Sequence, residues 1–242
     1  MSVGGNSVYN GRMCGRFTLR ASANVVAEQF ALFEAGPFEP RFNIAPTQPA
    51  PVIRLAHGPQ PRRELAWLRW GLIPAWAKNP AIGNRMINAR AETVAEKPAY
   101  RAALERQRCL IAADGFYEWQ RVGKARQPYF IHMRDDRPFG IAGLWEVWQA
   151  PDHSRIESCT LLTTEPNDLL RPIHNRMPLI LGPDQYEAWL DPSALRPDLL
   201  VSLRRPHPSD RMIAVAVGKY VNNPTHDDPK CIEPSTDGLL FS

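Results

Sequence analysis

Four short stretches carry reactive or charged side chains that an apolar element has no use for. Cys14 opens CGRF at 14–17. Asn88, Arg90 and Glu92 alternate within MINARAET at 86–93. Glu118 sits between Tyr117 and Trp119 in DGFYEW at 114–119. His174 and Arg176 precede the apolar end of RPIHNRMPLIL at 171–181. A thiol, a carboxylate, an imidazole and an amide are the parts a nucleophilic site is made from. Each also has a plainer reading. Glu118 fits a solvent-facing strand position, His174 a satisfied loop histidine, Asn88 a turn, and Arg16, Arg90 and Arg176 surface charge.

Cys14 carries the most chemistry. Met13-Cys14 has the form of a chain start placed twelve residues inside the chain. As an internal residue, Cys14 offers a thiol alone. As a first residue it offers a thiol and an α-amine on adjacent carbons. Such a 1,2-aminothiol captures an aldehyde twice. The amine forms an imine, and the thiol then closes a five-membered ring, an intramolecular step with a high effective concentration. The α-amine titrates near ~8, which leaves a useful neutral fraction at neutral pH. Glu118, beside two aromatics, is expected to be desolvated and raised in pKa, where it orients the amine or exchanges its proton.

These residues need elements to hold them. CGRFTL alternates, with Cys14, Arg16 and Thr18 on one face and Phe17 and Leu19 on the other, and reads as a strand. Residues 22–33 read as a helix, and 41–56 as a proline-broken loop running into a strand. Residues 64–73 form a strand pattern with two tryptophans. Residues 91–106 look helical with a break at Pro98. CLIAADGFYEWQR reads as two strands around a tight Asp114-Gly115 turn. PYFIHMR, FGIAGLWEVW, SCTLLTT and MIAVAVGKYV are further strands. PDQYEAWL and PDLLVSLR are short helices. Strands dominate, and no βαβ alternation is present. The pattern predicts an α+β chain with a mainly antiparallel, curved or barrel-like β core and flanking helices.

Bulk properties narrow the class. The 242 residues suffice for one large domain with a real core. There is no apolar run of transmembrane length and no signal-peptide core in MSVGGNSVYNGR, so the expected location is cytoplasmic, with no membrane partner. Residues 1–12 read as a disordered leader, absent from the active form. Residues 13–235 read as the domain and 236–242 as a tail. The net charge of +4, from 29 basic and 25 acidic residues, permits a polyanionic partner without requiring one. The four cysteines at 14, 109, 159 and 231 lack C-x-x-C spacing, so neither structural zinc nor a disulfide framework is expected. Cys109 and Cys159 lie in apolar strand runs and read as small buried hydrophobes. No phosphate loop, paired metal carboxylates or histidine cluster is apparent, and no metal or cofactor is expected.

Together the motifs resemble the SRAP family, the SOS response-associated peptidases that sense abasic sites. The resemblance rests on MCGRF at 13–17, RFNIAPTQ at 41–48, WGLIPAW at 70–76, INARAET at 87–93, CLIAADGFYEW at 109–119 and IHNRMPLIL at 173–181. VNNPTHDDPKCIEP at 221–234 resembles the family's C-terminal signature. The resemblance implies a compact α+β domain with a curved β core and a basic cleft. It implies a DNA damage function: trapping abasic sites in single-stranded DNA as a thiazolidine on an N-terminal cysteine. Autopeptidase activity and a weak lyase side activity come with it. Carried onto this chain, Cys14 is the cross-linking nucleophile, Asn88 positions it, and Glu118 and His174 are the acid/base pair. Arg16, Arg90 and Arg176 hold phosphates, and Trp70 and Trp76 are the candidate stacking aromatics. The expected form is a monomer, associated with the nucleoid when bound to DNA. Trp76 is followed by Ala77 where some members have adjacent tryptophans, so stacking and core readings of the tryptophans both stay open. Two other functions remain compatible with the residues. An N-terminal-nucleophile cysteine amidohydrolase also begins with an exposed Cys-Gly pair, and a non-catalytic single-stranded DNA-binding module fits a chain that keeps its leader.

Overall fold

Five strands close on themselves around the main core. The computed structural model describes residues 14–56, 58, 61–194 and 197–235, so the expected leader and tail at 1–12 and 236–242 lie outside the described residues. In chain order the elements are β1 (Phe17–Leu19), α1 (Ala23–Phe30), β2 (Arg41–Ile44), β3 (Pro49–Leu55), β4 (Arg63–Trp70), β5 (Asn88–Arg90), α2 (Pro98–Arg106), β6 (Arg108–Ala113), β7 (Gly115–Val122), β8 (Ala125–Met133), β9 (Phe139–Gln149), β10 (Arg155–Thr164), β11 (Met177–Pro178), β12 (Ile180–Leu181), α3 (Tyr186–Leu190), α4 (Pro197–Leu203) and β13 (Met212–Ala216). The ring runs β10–β4–β3–β6–β9 and returns to β10. Its β10–β4 contact is parallel and the other four are antiparallel. Closure removes exposed strand edges. It also explains why Arg108–Ala113 is buried at every position rather than alternating, since both faces of β6 are covered. The expected α+β barrel-like core is therefore observed.

A second, antiparallel sheet, ordered β13–β8–β7–β1–β2, packs beside the barrel and carries the N-terminal strand. The chain steps from barrel to second sheet at Asp114. This corrects the expected Asp114-Gly115 hairpin: β6 pairs with β3 and β9, whereas β7 pairs with β1 and β8. Asp114 is buried, and its carboxylate accepts from Thr18 Oγ1 at 2.5 Å, from Ala21 N at 2.8 Å and from Arg20 N. It thus ties the crossing to β1. Glycine is required at 115, because a Cβ there would lie 2.2 Å from the Phe130 ring.

Other expectations shift locally. RFNI at 41–44 is a strand paired to β1, not a loop. Pro98 begins α2 rather than breaking it, where its missing N–H costs nothing. The late strand ends at Ala216, and Lys219–Asn222 forms a 3-10 turn. Both faces of β1 and of the residues just ahead of it are covered: Cys14, Arg16 and Thr18 are as buried as Phe17 and Leu19. Cys109 and Cys159 are buried among apolar neighbours, as expected. Among the described residues, no helix is long and apolar enough to cross a membrane.

Candidate active site

The residues just ahead of β1 bring Cys14 to the junction of the two sheets. Cys14 is 1% exposed. Its backbone nitrogen donates to Glu118 Oε1 at 2.8 Å, and its carbonyl accepts from Asn88 Nδ2 at 3.4 Å. Two residues far apart in sequence, on β7 and β5, therefore hold the backbone N–H and C=O of one residue. Cys14 also has φ = +30°, on the left-handed side, which costs a residue with a Cβ of order 1–2 kcal/mol. Burial, reinforced by Glu118, holds its thiol well above the ordinary value.

Glu118 is 2% exposed on β7. Burial pushes its carboxyl up to about 8, even though the N–H groups of Cys14 and Trp119 favour the ionised form. Glu118 opens onto a cleft of about 620 Å³ that is also lined by Arg16, Trp119, Arg121, Arg126, His174 and Asn222. His174 is half-buried across this cleft. Its Nδ1 accepts from the Arg176 backbone N–H at 3.2 Å, so the neutral ring carries its proton on Nε2. Desolvation lowers the His174 pKa, and the charges of Arg126 and Arg176 add to that effect, while the hydrogen bond from Arg176 opposes it. A carboxyl shifted toward its protonated form and an imidazole shifted toward its neutral form line one cavity. This is the division expected of an acid/base pair.

The arginines expected to grip phosphate divide. Arg16 is buried, and its Nη1 donates to Asn43 Oδ1 and Val221 O, both at 2.9 Å, and Nη2 to Asn222 O at 3.3 Å. It clamps the C-terminal segment while lining the cleft. Arg176 is bidentate to Glu92 at 2.8 and 2.7 Å and also donates to Thr163 O, so its charge is spoken for. Burial alone would raise Glu92, but the hydrogen bonds and charge of Arg176 hold it below the usual carboxylate range. Arg90 is exposed and lies in a separate hollow of about 500 Å³ with Asn88, Lys97 and Tyr100. Trp70 is fully buried, edge-on to Phe17, with Nε1 donating to Ile87 O at 2.8 Å. It is a core residue and cannot stack on DNA. Trp76 is 62% exposed and available for stacking.

Several site residues escaped the sequence reading. Arg121 and Arg126 lie on the β7–β8 hairpin, and Trp119 is held by Nε1 donating to Asn222 Oδ1 at 2.8 Å. Buried Asn43 uses Nδ2 to hold the carbonyls of Val221, Asn223 and His226, the last at 2.7 Å. Asp227 accepts from Asn43 N at 2.8 Å and Phe42 N at 2.5 Å. The RFN and VNNPTHDD motifs are thus two halves of one joint. Their reach across the chain was the available signal, since both are rich in polar groups that turns alone do not need.

Known proteins of similar sequence share this arrangement's frame. The family model described as SOS response associated peptidase (SRAP) matches residues 13–224. Abasic site processing protein YoqW of Bacillus subtilis (strain 168) is 44% identical over 225 residues, covering 91% of this chain and 99% of that protein. Abasic site processing protein HMCES of Xenopus tropicalis is 31% identical over 223 residues, 81% of this chain and 66% of that one. A solved structure of a protein from Bacteroides thetaiotaomicron superposes with a TM-score of 0.78 at 26% identity, covering 92% of this chain and all of that one. With the family model matched over residues 13–224, the chain belongs to the SOS response associated peptidase (SRAP) family.

Proposed function

We propose that this protein senses abasic sites in single-stranded DNA and traps them covalently, as a thiazolidine on an N-terminal Cys14. The observation that carries the reading is the 2.8 Å contact between the Cys14 nitrogen and Glu118 Oε1, beside a cleft that also holds His174. The relatives named abasic site processing proteins support it.

Removal of the residues ahead of Cys14 comes first. The Cys14 sulfur attacks the carbonyl of the preceding residue, its thiol proton passing to the Glu118 carboxylate as that group protonates the nitrogen, and the carbon–nitrogen bond breaks. Glu118, protonated up to about pH 8, gives its proton to the departing nitrogen; water then hydrolyses the thioester. The left-handed φ of Cys14 favours this step, because that torsion exists only while the preceding residue is attached.

The freed amine then meets the ring-opened sugar. It titrates near ~7.7–8.0, and the Glu118 carboxyl beside it is placed to take its proton and return it. The neutral amine adds to the aldehyde carbon. His174 and Glu118 supply the proton that takes the hydroxyl away as water, and the thiol closes the ring on the imine. Slow β-elimination through the imine is a weak lyase side reaction. Exposed arginines contact phosphates without reading sequence, and Trp76 stacks on a flanking base. The protein acts as a cytoplasmic monomer, at the nucleoid when bound.

The test is incubation with a single-stranded abasic oligonucleotide, followed by a denaturing gel and intact mass. A shift dependent on Cys14, lost in Cys14→Ala while reversible DNA affinity remains, is expected. No shift from protein whose first residue is Cys14 would overturn the reading. Glutamine hydrolysis in its place would make the protein an amidohydrolase.

A further inference from the structure

Arg121 and Arg126 are direct cross-strand partners on the β7–β8 hairpin. Like charges in that register repel and weaken the strand pair. Both side chains are exposed, and both line the cleft with Glu118 and His174. Among the described residues neither pairs with a carboxylate. Arg121 Nε donates to Gly123 O at 3.4 Å. An anion between the two guanidiniums would turn repulsion into attraction, and a phosphate fits two planar forks well. A phosphodiester inside a DNA strand offers one charge and two free oxygens. A phosphate monoester offers three oxygens and between one and two charges at neutral pH, which matches two arginines better.

We infer that the cleft also accepts free phosphorylated aldehydes of pentose size, with phosphate on Arg121 and Arg126 and the aldehyde carbon at Cys14. The inference rests on the processed Cys14 proposed above. Three residue steps along β7 lead from Glu118 to Arg121, about 10 Å. A pentose phosphate and a folded arginine side chain span that gap together. The cleft volume of about 620 Å³ does not require a polymer to fill it. The reaction balances without a co-reactant. The amine and aldehyde form an imine with loss of one water. The thiol then adds across the carbon–nitrogen double bond, its proton passing to nitrogen. The product caps Cys14, so free phosphoaldehydes compete with DNA for the same reagent.

The probe is 2-deoxyribose 5-phosphate, run beside 2-deoxyribose and a single-stranded abasic oligonucleotide, on protein whose first residue is Cys14. Intact mass and peptide mapping should show a sugar phosphate less one water on Cys14. It should form about tenfold or more faster than the unphosphorylated adduct, and pretreated protein should no longer cross-link DNA. The Arg121→Ala/Arg126→Ala double variant should bring the two sugar rates close together. Cross-linking to DNA without a sugar phosphate adduct, or without a phosphate preference, would overturn this inference and leave the DNA reading intact. An undiminished preference in the double variant would remove the phosphate from this arginine pair. Failure with all three substrates would overturn the DNA reading along with it.

Discussion

The Cys14 backbone nitrogen donates to Glu118 Oε1 at 2.8 Å, joining residues 104 positions apart at the seam between two sheets. Glu118 is buried, and its carboxyl is pushed up to about 8. Four expectations extend from this site into the fold.

Glu118→Gln keeps the shape of the side chain and its place beside the Cys14 nitrogen, but it cannot exchange a proton. Cross-linking should slow by roughly 10²–10³-fold, the usual scale for a lost general acid or base. Affinity for an abasic strand should change little. A single-turnover time course on denaturing gels measures the first quantity and fluorescence anisotropy the second. An unaltered rate would leave Glu118 a structural residue.

Stability should depend on pH through the same group. In the chain that retains residues ahead of Cys14, Glu118 keeps its proton to about pH 8, whereas the unfolded chain releases it near ~4.3. Between those values the native state binds more protons, so stability falls as pH rises and levels off above about 8. His174 and His207 are both lowered and act with the opposite sign, but only below ~6.5. From pH 6.5 to 8 the Glu118 contribution is at most about 2 kcal/mol. Melting curves of wild type and Glu118→Gln across that window isolate it. The variant should be the more stable at pH 8, and parallel curves would contradict the burial.

Asn43→Ala should loosen the C-terminal joint. The amide bonds three carbonyls and the Arg16 guanidinium, all of which would be left in a buried place. Unsatisfied buried groups cost about 1–3 kcal/mol each before relaxation, so a loss of a few kcal/mol is expected. Hydrogen exchange should quicken at 221–226 before the barrel strands respond. Uniform protection across both regions would mean the joint is not a separate unit.

The two tryptophans of WGLIPAW should separate cleanly. Trp70→Ala removes a fully buried ring and its bond to Ile87 O, and should destabilise by about 3–5 kcal/mol. Trp76→Ala should leave the melting temperature nearly unchanged and weaken single-stranded DNA binding by about 1–3 kcal/mol, the worth of one stacked base. Thermal melts and binding isotherms on both variants decide it. Undiminished binding by Trp76→Ala would assign this ring no part in DNA recognition.

Some of the fold was legible because it is locally encoded. Alternating apolar residues marked β4, β9 and β10, and Pro183 marked the approach to α3, whereas Pro98 reads as a break and in fact opens α2. The Asp114-Gly115 step was not legible. A turn dipeptide signals a change of direction, and whether the flanking strands pair with each other depends on distant partners. The bonding of Arg16 was not legible for a related reason. An arginine bonded to buried carbonyls has the same letter as one in solvent, and only the fold supplies Val221 and Asn222 opposite it. Trp70 and Trp76 are six residues apart in one motif, and their fates diverge because one ends a barrel strand and the other lies in the loop beyond.

The sequence by itself determined the inventory: an aminothiol precursor at 13–14, an acid at 118, an imidazole at 174, and the strand-rich class of scaffold. A functional group and its bonding possibilities belong to a residue wherever it is placed. The tertiary structure decided which groups meet, which arginines are already committed, and where protons reside. Those properties come from distance and desolvation. Glu118 titrates near 8 because packing between two sheets removes its water, and no stretch of neighbouring sequence can do that.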